Sequence, residues 1–272
     1  MTITQIYMIL LFFLYTNIAS ATLLGRKLEG NNLHTIEEDQ LVKIVTEEWN
    51  YMKQRCIINK AAHVSVHFDH TLAGTRILGW GSQTDILVNG TLYPSIVVPE
   101  HNGIDMLIGI NPNPINGWYT GTTCNTTNQY DLRTVIRHEI LHGMGLTTSV
   151  FNTSIGRYHN GTCYLRIYDT LIKDIFGNRM VENCSIVNTA KKWYINGVQL
   201  YDDSWSHHVY TNHLMFWELG PGECQYLKAE EVRMLEAVGV TCSLHQYPLS
   251  SAQRSQISLW LLPIASILLQ FC

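Results

Sequence analysis

His138, Glu139 and His142 are the residue types of a catalytic metal site at a spacing that suits one. On a helix, two His residues four positions apart project from one face, close enough for both imidazoles to reach one Zn²⁺. Glu139 is placed to take a proton from a water molecule whose pKa the metal has lowered and to pass it to a leaving amine. This pattern predicts a zinc-dependent peptidase, with Glu139 as its general base and then its general acid.

The sequence around these residues predicts the helix that must present them. Asp131 is a suitable N-cap, and apolar residues recur behind it at the spacing of a buried helical face. Gly143 and Gly145 follow the second His and should end the helix, because glycine turns the chain sharply. These apolar residues are Leu132, Val135, Ile136, Ile140 and Leu141.

The remaining elements predict an α+β fold. Thr35 and Glu38 form a capping-box pattern before an amphipathic helix over residues 36–54. Two further helices are expected, around residues 168–176 and 229–238. Strand-like runs lie at 64–68, 76–80, 85–88, 95–98 and 105–110. We therefore expect a mixed-sheet N-terminal lobe (about 35–145) and a loop-rich, disulfide-bonded C-terminal lobe (about 146–243).

An open zinc site needs three protein ligands, and the helix supplies two. Candidates for the third come from a His-rich segment at residues 205–215 and from two acidic residues earlier in the chain. The candidates are His207, His208, His213, Asp169 and Glu182.

Three blocks carry a resemblance to leishmanolysin-like metzincins. The first block, residues 130–132, immediately precedes the zinc motif, and the second, Tyr168-Asp169, lies in the insertion. The third block consists of residues 206–207, 214–215, 220–222 and 235–239. The resemblance covers residues 105–240, roughly half the chain. It implies a metzincin-like zincin fold with a long insertion before the third His.

The resemblance also assigns roles to individual residues. Ser204-Trp205-Ser206-His207 before Leu214-Met215 matches the family's third ligand and Met-turn, which implies that His207 binds zinc and that Met215 lies beneath it. Metzincins usually have the third His six residues after the second, where this chain has Thr148, and the His-to-Met interval is shorter than in leishmanolysin. His208 therefore stays open as the third ligand. Residues 105–110 would be the edge strand that aligns an extended peptide.

Both ends of the chain indicate the secretory pathway. Residues 1–21 have the apolar run and small-residue ending of a signal peptide, with a membrane anchor as the alternative. Residues 252–272 are typical of a GPI-attachment propeptide, with Ser250-Ser251-Ala252 as the attachment region and a membrane span as the alternative. The peptidase domain would then be residues 22–251, and the protein would reach the extracellular face of the cell through a lipid anchor.

Cysteines and sequons fit the same compartment. Removal of Cys272 with the tail leaves six cysteines, an even set that predicts three disulfides of open connectivity. The alternative is that Cys56 is a free thiolate that holds the zinc latent. Five sequons predict glycosylated surface loops, at Asn89, Asn125, Asn152, Asn160 and Asn183.

The net charge bears on nucleic-acid binding, and three further histidines bear on a second metal site. A net charge of −4 gives no basic footprint, so we expect no nucleic-acid binding. Protein or peptide substrates are expected because the zinc motif predicts a peptidase. His63 and His67 would share one strand face near His70, but a solvated face explains them better than a second metal. The sequence predicts a zinc endopeptidase; the alternative is a decayed peptidase scaffold that serves in surface adhesion or recognition.

Overall fold

The computed structural model describes residues 36–58, 60–124, 128–149, 157–159, 162–182, 184–188, 190, 192–202 and 204–243. The predicted signal peptide, the attachment tail and all sequons except Asn89 lie outside these ranges. Asn89 is exposed in the turn between two paired strands, where a sugar could be attached. Within the described ranges, no helix combines the length and apolar character required to cross a membrane.

The chain forms a mixed α+β fold of short helices and small sheets. The α-helices are α1 (Glu38–Lys53), α2 (Leu132–Gly143), α3 (Ile167–Leu171) and α4 (Ala229–Ala237). The strands are β1 (Cys56–Ile57), β2 (Val64–Phe68), β3 (Gly79–Gln83), β4 (Asp85–Val88), β5 (Thr91–Pro94), β6 (Met106–Ile110), β7 (Trp118–Tyr119), β8 (Tyr130–Asp131), β9 (Arg157–His159), β10 (Thr162–Arg166), β11 (Val181–Glu182), β12 (Ser185–Ile186), β13 (Tyr194–Ile195), β14 (Val198–Tyr201), β15 (Ser204–His208) and β16 (Thr241–Cys242).

Helix α2 begins and ends where the sequence predicts. The Asp131 side chain accepts a hydrogen bond from the Thr134 backbone N–H at 2.7 Å, which satisfies a donor that the first helical turn leaves free. Gly145 has a φ of +120°, a value that L side chains rarely adopt, so the chain leaves the helix there. The buried apolar face of α2 is the one expected from its periodicity.

Helix α1 packs on α2 through charged as well as apolar side chains. Glu48 is buried, and its carboxylate accepts hydrogen bonds from Arg133 at 2.7 Å and from Arg137. Both partners lie on α2, so this ion-pair group fixes the helix that carries the candidate zinc ligands. The predicted Thr35 cap lies outside the described residues, and the observed N-cap, Glu37, makes no side-chain capping bond.

The sheet next to α2 has the order β2-β6-β3, with β2 parallel and β3 antiparallel to β6. The prediction that residues 105–110 form the edge strand is therefore wrong. Strand β6 is central, because β2 and β3 pair with its two sides, and β3 occupies the edge beside α2. Strand order depends on pairing between distant segments, which local sequence patterns do not encode.

Two other predicted elements differ from the structure. The helix expected over residues 168–176 ends at Leu171, so α3 is little more than one turn. Residues 95–98 form a 3₁₀ turn (Ser95–Val97) instead of a strand, and the pairing residues precede them in β5. Ser95 is buried at the start of this turn and donates its hydroxyl to the Asp105 carboxylate at 2.7 Å.

Three disulfides connect distant parts of the described chain. They join Cys56 to Cys242, Cys124 to Cys224, and Cys163 to Cys184. The pairing of β1 with β16 brings the first of them together. The alternative in which Cys56 is a free thiolate is therefore wrong. Buried apolar side chains from both predicted lobes form one continuous core, from Ile36 to Cys242.

Candidate active site

Three imidazoles from two elements converge on one point. Nε2 of His138 lies 3.1 Å from Nε2 of His142, its neighbour on α2, and 3.0 Å from Nε2 of His207 on β15. A tetrahedral zinc ion with bonds of 2.0–2.1 Å separates its ligand atoms by about 3.3 Å. The spacing of these three nitrogens is therefore close to that of one metal-coordination sphere.

A bulge in β15 brings His207 to this point. Ser204 pairs with Tyr201 of β14 and His208 pairs with Leu200, so residues 205–207 bulge out of the ladder. Such a bulge redirects side chains out of the regular alternation of a strand. The third imidazole thus comes from a strand 65 positions after the second.

Each of the three rings has its other nitrogen engaged elsewhere. Nδ1 of His138 lies 2.6 Å from the Leu214 carbonyl oxygen, and Nδ1 of His142 lies 2.7 Å from that of Leu146. Nδ1 of His207 lies 2.5 Å from the Ser204 hydroxyl. A ring that donates through Nδ1 presents the lone pair of Nε2, as metal-binding His residues do.

Burial keeps these rings neutral. Burial lowers the pKa of His138 to about 4 and that of His142 to about 3, and it lowers the pKa of His207 well below its ordinary value. Without a cation between them, three neutral rings would place their lone pairs against one another at these short distances. A cation between them removes this repulsion, so the donor set fits a metal ion such as Zn²⁺.

Glu139 is buried beside the imidazoles. Its Oε2 has no hydrogen-bond partner within the described part of the chain. Burial raises the pKa of Glu139 to about 8, which would leave the carboxyl protonated at neutral pH. A cation held by the neighbouring imidazoles would favour the carboxylate and make Glu139 available as a base.

Edge strand β3 passes directly over Glu139. A Cβ atom at Gly81 would collide with the Glu139 backbone, and one at Gly79 would lie 3.3 Å from Oε1 of Glu139. Glycine at these positions therefore permits the close approach of the strand to α2. The alternation of Gly79 and Gly81 around Trp80 is the sequence signal for this contact, although the predicted strand began at Arg76 and gave the glycines no role.

An open cleft of roughly 1480 Å³ contains the imidazoles and Glu139. Residues 79–82 of strand β3 and the segment from Phe216 to Pro221 line this cleft. The cleft is large enough to admit an extended peptide segment, and the convergent polar groups are among its lining residues.

Thr148 has a structural role. Its backbone N–H donates to the Ser206 hydroxyl at 2.9 Å, and its own hydroxyl donates to Asp169 at 2.6 Å. Ser206 immediately precedes His207, so this contact ties the chain after α2 to the third imidazole. The fully buried Asp169 carboxylate also accepts from the Ser149 backbone and hydroxyl.

The other candidate ligands lie away from the three-imidazole group. His208 points into the core, where Nε2 lies 2.8 Å from Glu231, and His213 lies near the same carboxylate. Asp169 is held by Thr148 and Ser149, and the Glu182 side chain is exposed on β11. Among the described residues, possible metal-binding groups are limited to the three imidazoles and the cluster of His208, His213 and Glu231. His63, His67 and His70 belong to neither group, and His67 packs against the edge of the Trp80 ring.

Several residues that orient the site were not predicted from the sequence. The carbonyl groups of Leu146 and Leu214 and the hydroxyl of Ser204 orient the imidazoles. Backbone carbonyls carry no residue-specific signal, so only Ser204 could have been singled out.

No protein-family model, curated protein or solved structure matches the chain.

Proposed function

We propose that the protein is a zinc-dependent endopeptidase of metzincin type that cleaves extracellular protein or peptide substrates. The observation that carries the proposal is the convergence of His138, His142 and His207 beside a buried Glu139 in an open cleft. This arrangement supports an enzyme over the adhesion alternative, because a purely structural zinc site has no need for an adjacent carboxylate.

The three imidazoles would hold the ion through their Nε2 atoms. When bound, zinc supplies Lewis acidity, which lowers the pKa of water and polarises a peptide carbonyl. Glu139 accepts the proton of the attacking water and returns it to the leaving amine. The backbone and hydroxyl groups at Nδ1 keep the rings in the orientation that this chemistry requires.

Strand β3 would align the substrate. Among the described strands it pairs with β6 alone, and its residues 79–82 border the cleft. An extended peptide can add to such an edge through main-chain hydrogen bonds, which bring a scissile bond across the floor of the cleft. This assignment replaces the one that the resemblance gave to residues 105–110.

Gly145 and Met215 support the metzincin type. Gly145 turns the chain out of α2 with a positive φ, and the buried Met215 follows Leu214, whose carbonyl lies against His138. These are the places that the resemblance gives to the family's Gly and Met-turn. The long segment between the second and third His agrees with the leishmanolysin-like arrangement.

Peptide cleavage by the full chain, expressed through a secretory pathway and purified, tests this function. We expect cleavage of an unfolded protein or a peptide library to stop when a zinc chelator is added and to return when zinc is restored. Serine- and cysteine-protease inhibitors should leave the rate unchanged. Cleavage that survives complete removal of zinc would contradict the proposal.

We further propose that a GPI anchor holds the enzyme at the extracellular face of the cell. The support is the sequence at both ends of the chain, where residues 1–21 and 252–272 have the patterns of the two processing signals. Phosphatidylinositol-specific phospholipase should release the protein from intact cells. Retention on cells after phospholipase has released a known anchored protein would contradict the anchor.

A further inference from the structure

Glu231, in the first turn of α4, is a fully buried carboxylate whose described hydrogen bonds go to residues other than the three imidazoles of the candidate metal centre. Its Oε1 accepts hydrogen bonds from Nε2 of His208 at 2.8 Å and from the Met215 backbone N–H at 3.1 Å. Its Oε2 accepts from the Lys228 backbone N–H at 2.9 Å. The carboxylate therefore joins three segments of the chain in the core.

Two of these segments hold metal-centre residues. His208 follows His207 directly, and Met215 follows Leu214, whose carbonyl accepts from Nδ1 of His138. The His208 backbone N–H also donates to the Met215 carbonyl at 3.2 Å, which closes the strand and the turn onto each other. The two residues that Glu231 holds are therefore sequence neighbours of His207, which carries the third imidazole, and of Leu214, whose carbonyl orients the first.

The proton positions favour a hydrogen-bonded role for this group. Nδ1 of His208 accepts from the Tyr210 backbone N–H at 3.3 Å, which leaves Nε2 as the ring nitrogen that donates to Glu231. A cation in the cluster of His208, His213 and Glu231 would have to displace that proton. Nδ1 of His213 lies 3.8 Å from Glu231, beyond hydrogen-bond distance, so Glu231 is occupied by His208 and Met215.

The Glu231 carboxyl group is ionised although it is buried. Burial alone would raise the pKa of this carboxyl, but hydrogen bonds from His208 and from the Met215 backbone outweigh it, and the pKa lies below its ordinary value. The group is therefore a carboxylate at neutral pH, an acceptor at both oxygens. A Gln side chain in its place would turn its NH₂ group, a donor, toward one of the N–H groups that now donate to the carboxylate.

We propose that Glu231 is a positioning residue of the metal centre, which it stabilises by fixing the His207–His208 strand and the Leu214–Met215 turn against α4. This role rests on the proposed function only in that the three imidazoles bind a metal. Residues that orient metal ligands typically change metal affinity by about 10- to 100-fold when they are replaced.

The test compares zinc binding by Glu231→Gln and Glu231→Asp with binding by Asp105→Asn in the full chain. Asp105 is a matched control because it is also fully buried and accepts from Lys60, Ser95 and the His63 backbone. We expect the zinc dissociation constant, measured by chelator competition on folded protein, to rise about 10- to 100-fold in the Glu231 variants. Asp105→Asn should stay within about threefold of the wild type, because none of the groups that Asp105 holds orients an imidazole of the metal centre. The visible spectrum of the cobalt-substituted protein should change only in the Glu231 variants.

Other outcomes would overturn the inference. Wild-type affinity and a wild-type cobalt spectrum in both Glu231 variants would show that the carboxylate does not position the ligands. Two zinc ions per wild-type chain, falling to one in Glu231→Gln, would make Glu231 a ligand of a second ion. If Glu231→Gln does not fold, Glu231→Asp supplies the comparison, because it keeps the charge and shortens the reach. A wild-type chain that binds zinc but cleaves no peptide would overturn the proposed peptidase alone, whereas one that binds no zinc would overturn both.

Discussion

Replacement of Glu139 by Gln is expected to lower kcat/KM for peptide cleavage by about 10²- to 10⁴-fold, the usual contribution of a general acid–base group. Gln is nearly isosteric with Glu, but it cannot accept the proton of an attacking water molecule. Because Glu139 is not one of the three proposed zinc ligands, the variant should still bind one zinc ion per chain. The measurement is a steady-state cleavage assay together with the zinc content of the same sample.

Glu218→Gln is a suitable control for this variant. Glu218 lines the same cleft but is exposed, and the described contact it makes is through its backbone carbonyl, which accepts from Gln225. Its loss of charge should change kcat/KM by far less than the loss at Glu139. Full activity in Glu139→Gln would contradict the assigned role of this carboxylate, and so would loss of zinc together with activity.

Replacement of His207 by Ala is expected to remove zinc and activity together, whereas replacement of His208 by Ala should leave a zinc-binding protein. His207 supplies one of three converging nitrogens, and two imidazoles alone leave the centre one ligand short. His208 points to Glu231, so its loss should weaken zinc binding by no more than the roughly 10- to 100-fold expected of a supporting residue. Zinc content after gel filtration against a weak chelator measures the difference.

His213→Ala provides the comparison for a His that, like His208, lies near Glu231 but outside the centre. We expect this variant to retain both zinc and cleavage. Equal and complete retention of zinc by the His207 and His208 variants would show that the third ligand lies elsewhere. Loss of zinc from His208→Ala alone would reverse the assignment that the geometry supports.

Local sequence patterns predicted the elements whose structure is determined locally. Helix α2, its Asp131 cap and the turn at Gly145 follow from residue type and from 3.6-residue periodicity. The spacing of His138 and His142 on one helix face needs no tertiary information. The overall α+β class follows from the same patterns, because alternating and helical segments follow one another along the chain.

Features that depend on distant pairing were beyond such patterns. The order β2-β6-β3 decides which strand is at the edge, and periodicity within residues 105–110 gives no sign of it. The direction of the His207 ring depends on a bulge between β14 and β15, while its neighbour His208 has the same residue type and points to the core. Glu231 had no sequence signal, because an acidic residue in a first helical turn is ordinarily a solvated one.

Position 148 holds Thr where metzincins usually have their third His. This departure leaves two interpretations of the sequence open: a third ligand farther along the chain, which the resemblance implies to be His207, or a decayed site. In the structure, Thr148 holds Ser206 and Asp169, and thereby connects the end of α2 to the strand that presents His207. Under the proposed function, this contact would hold the segment that carries His207 close to α2 and so offset part of the entropic cost of closing the long loop.

The most direct test of the central claim is a zinc titration of the metal-free protein with the rate of peptide cleavage as the readout. One catalytic ion held by His138, His142 and His207 predicts that activity rises in proportion to added zinc and reaches its plateau at one equivalent per chain. Glu139→Gln should bind the same single equivalent without gaining activity. Full activity before any zinc is added, or no activity at saturation with zinc, would contradict the account.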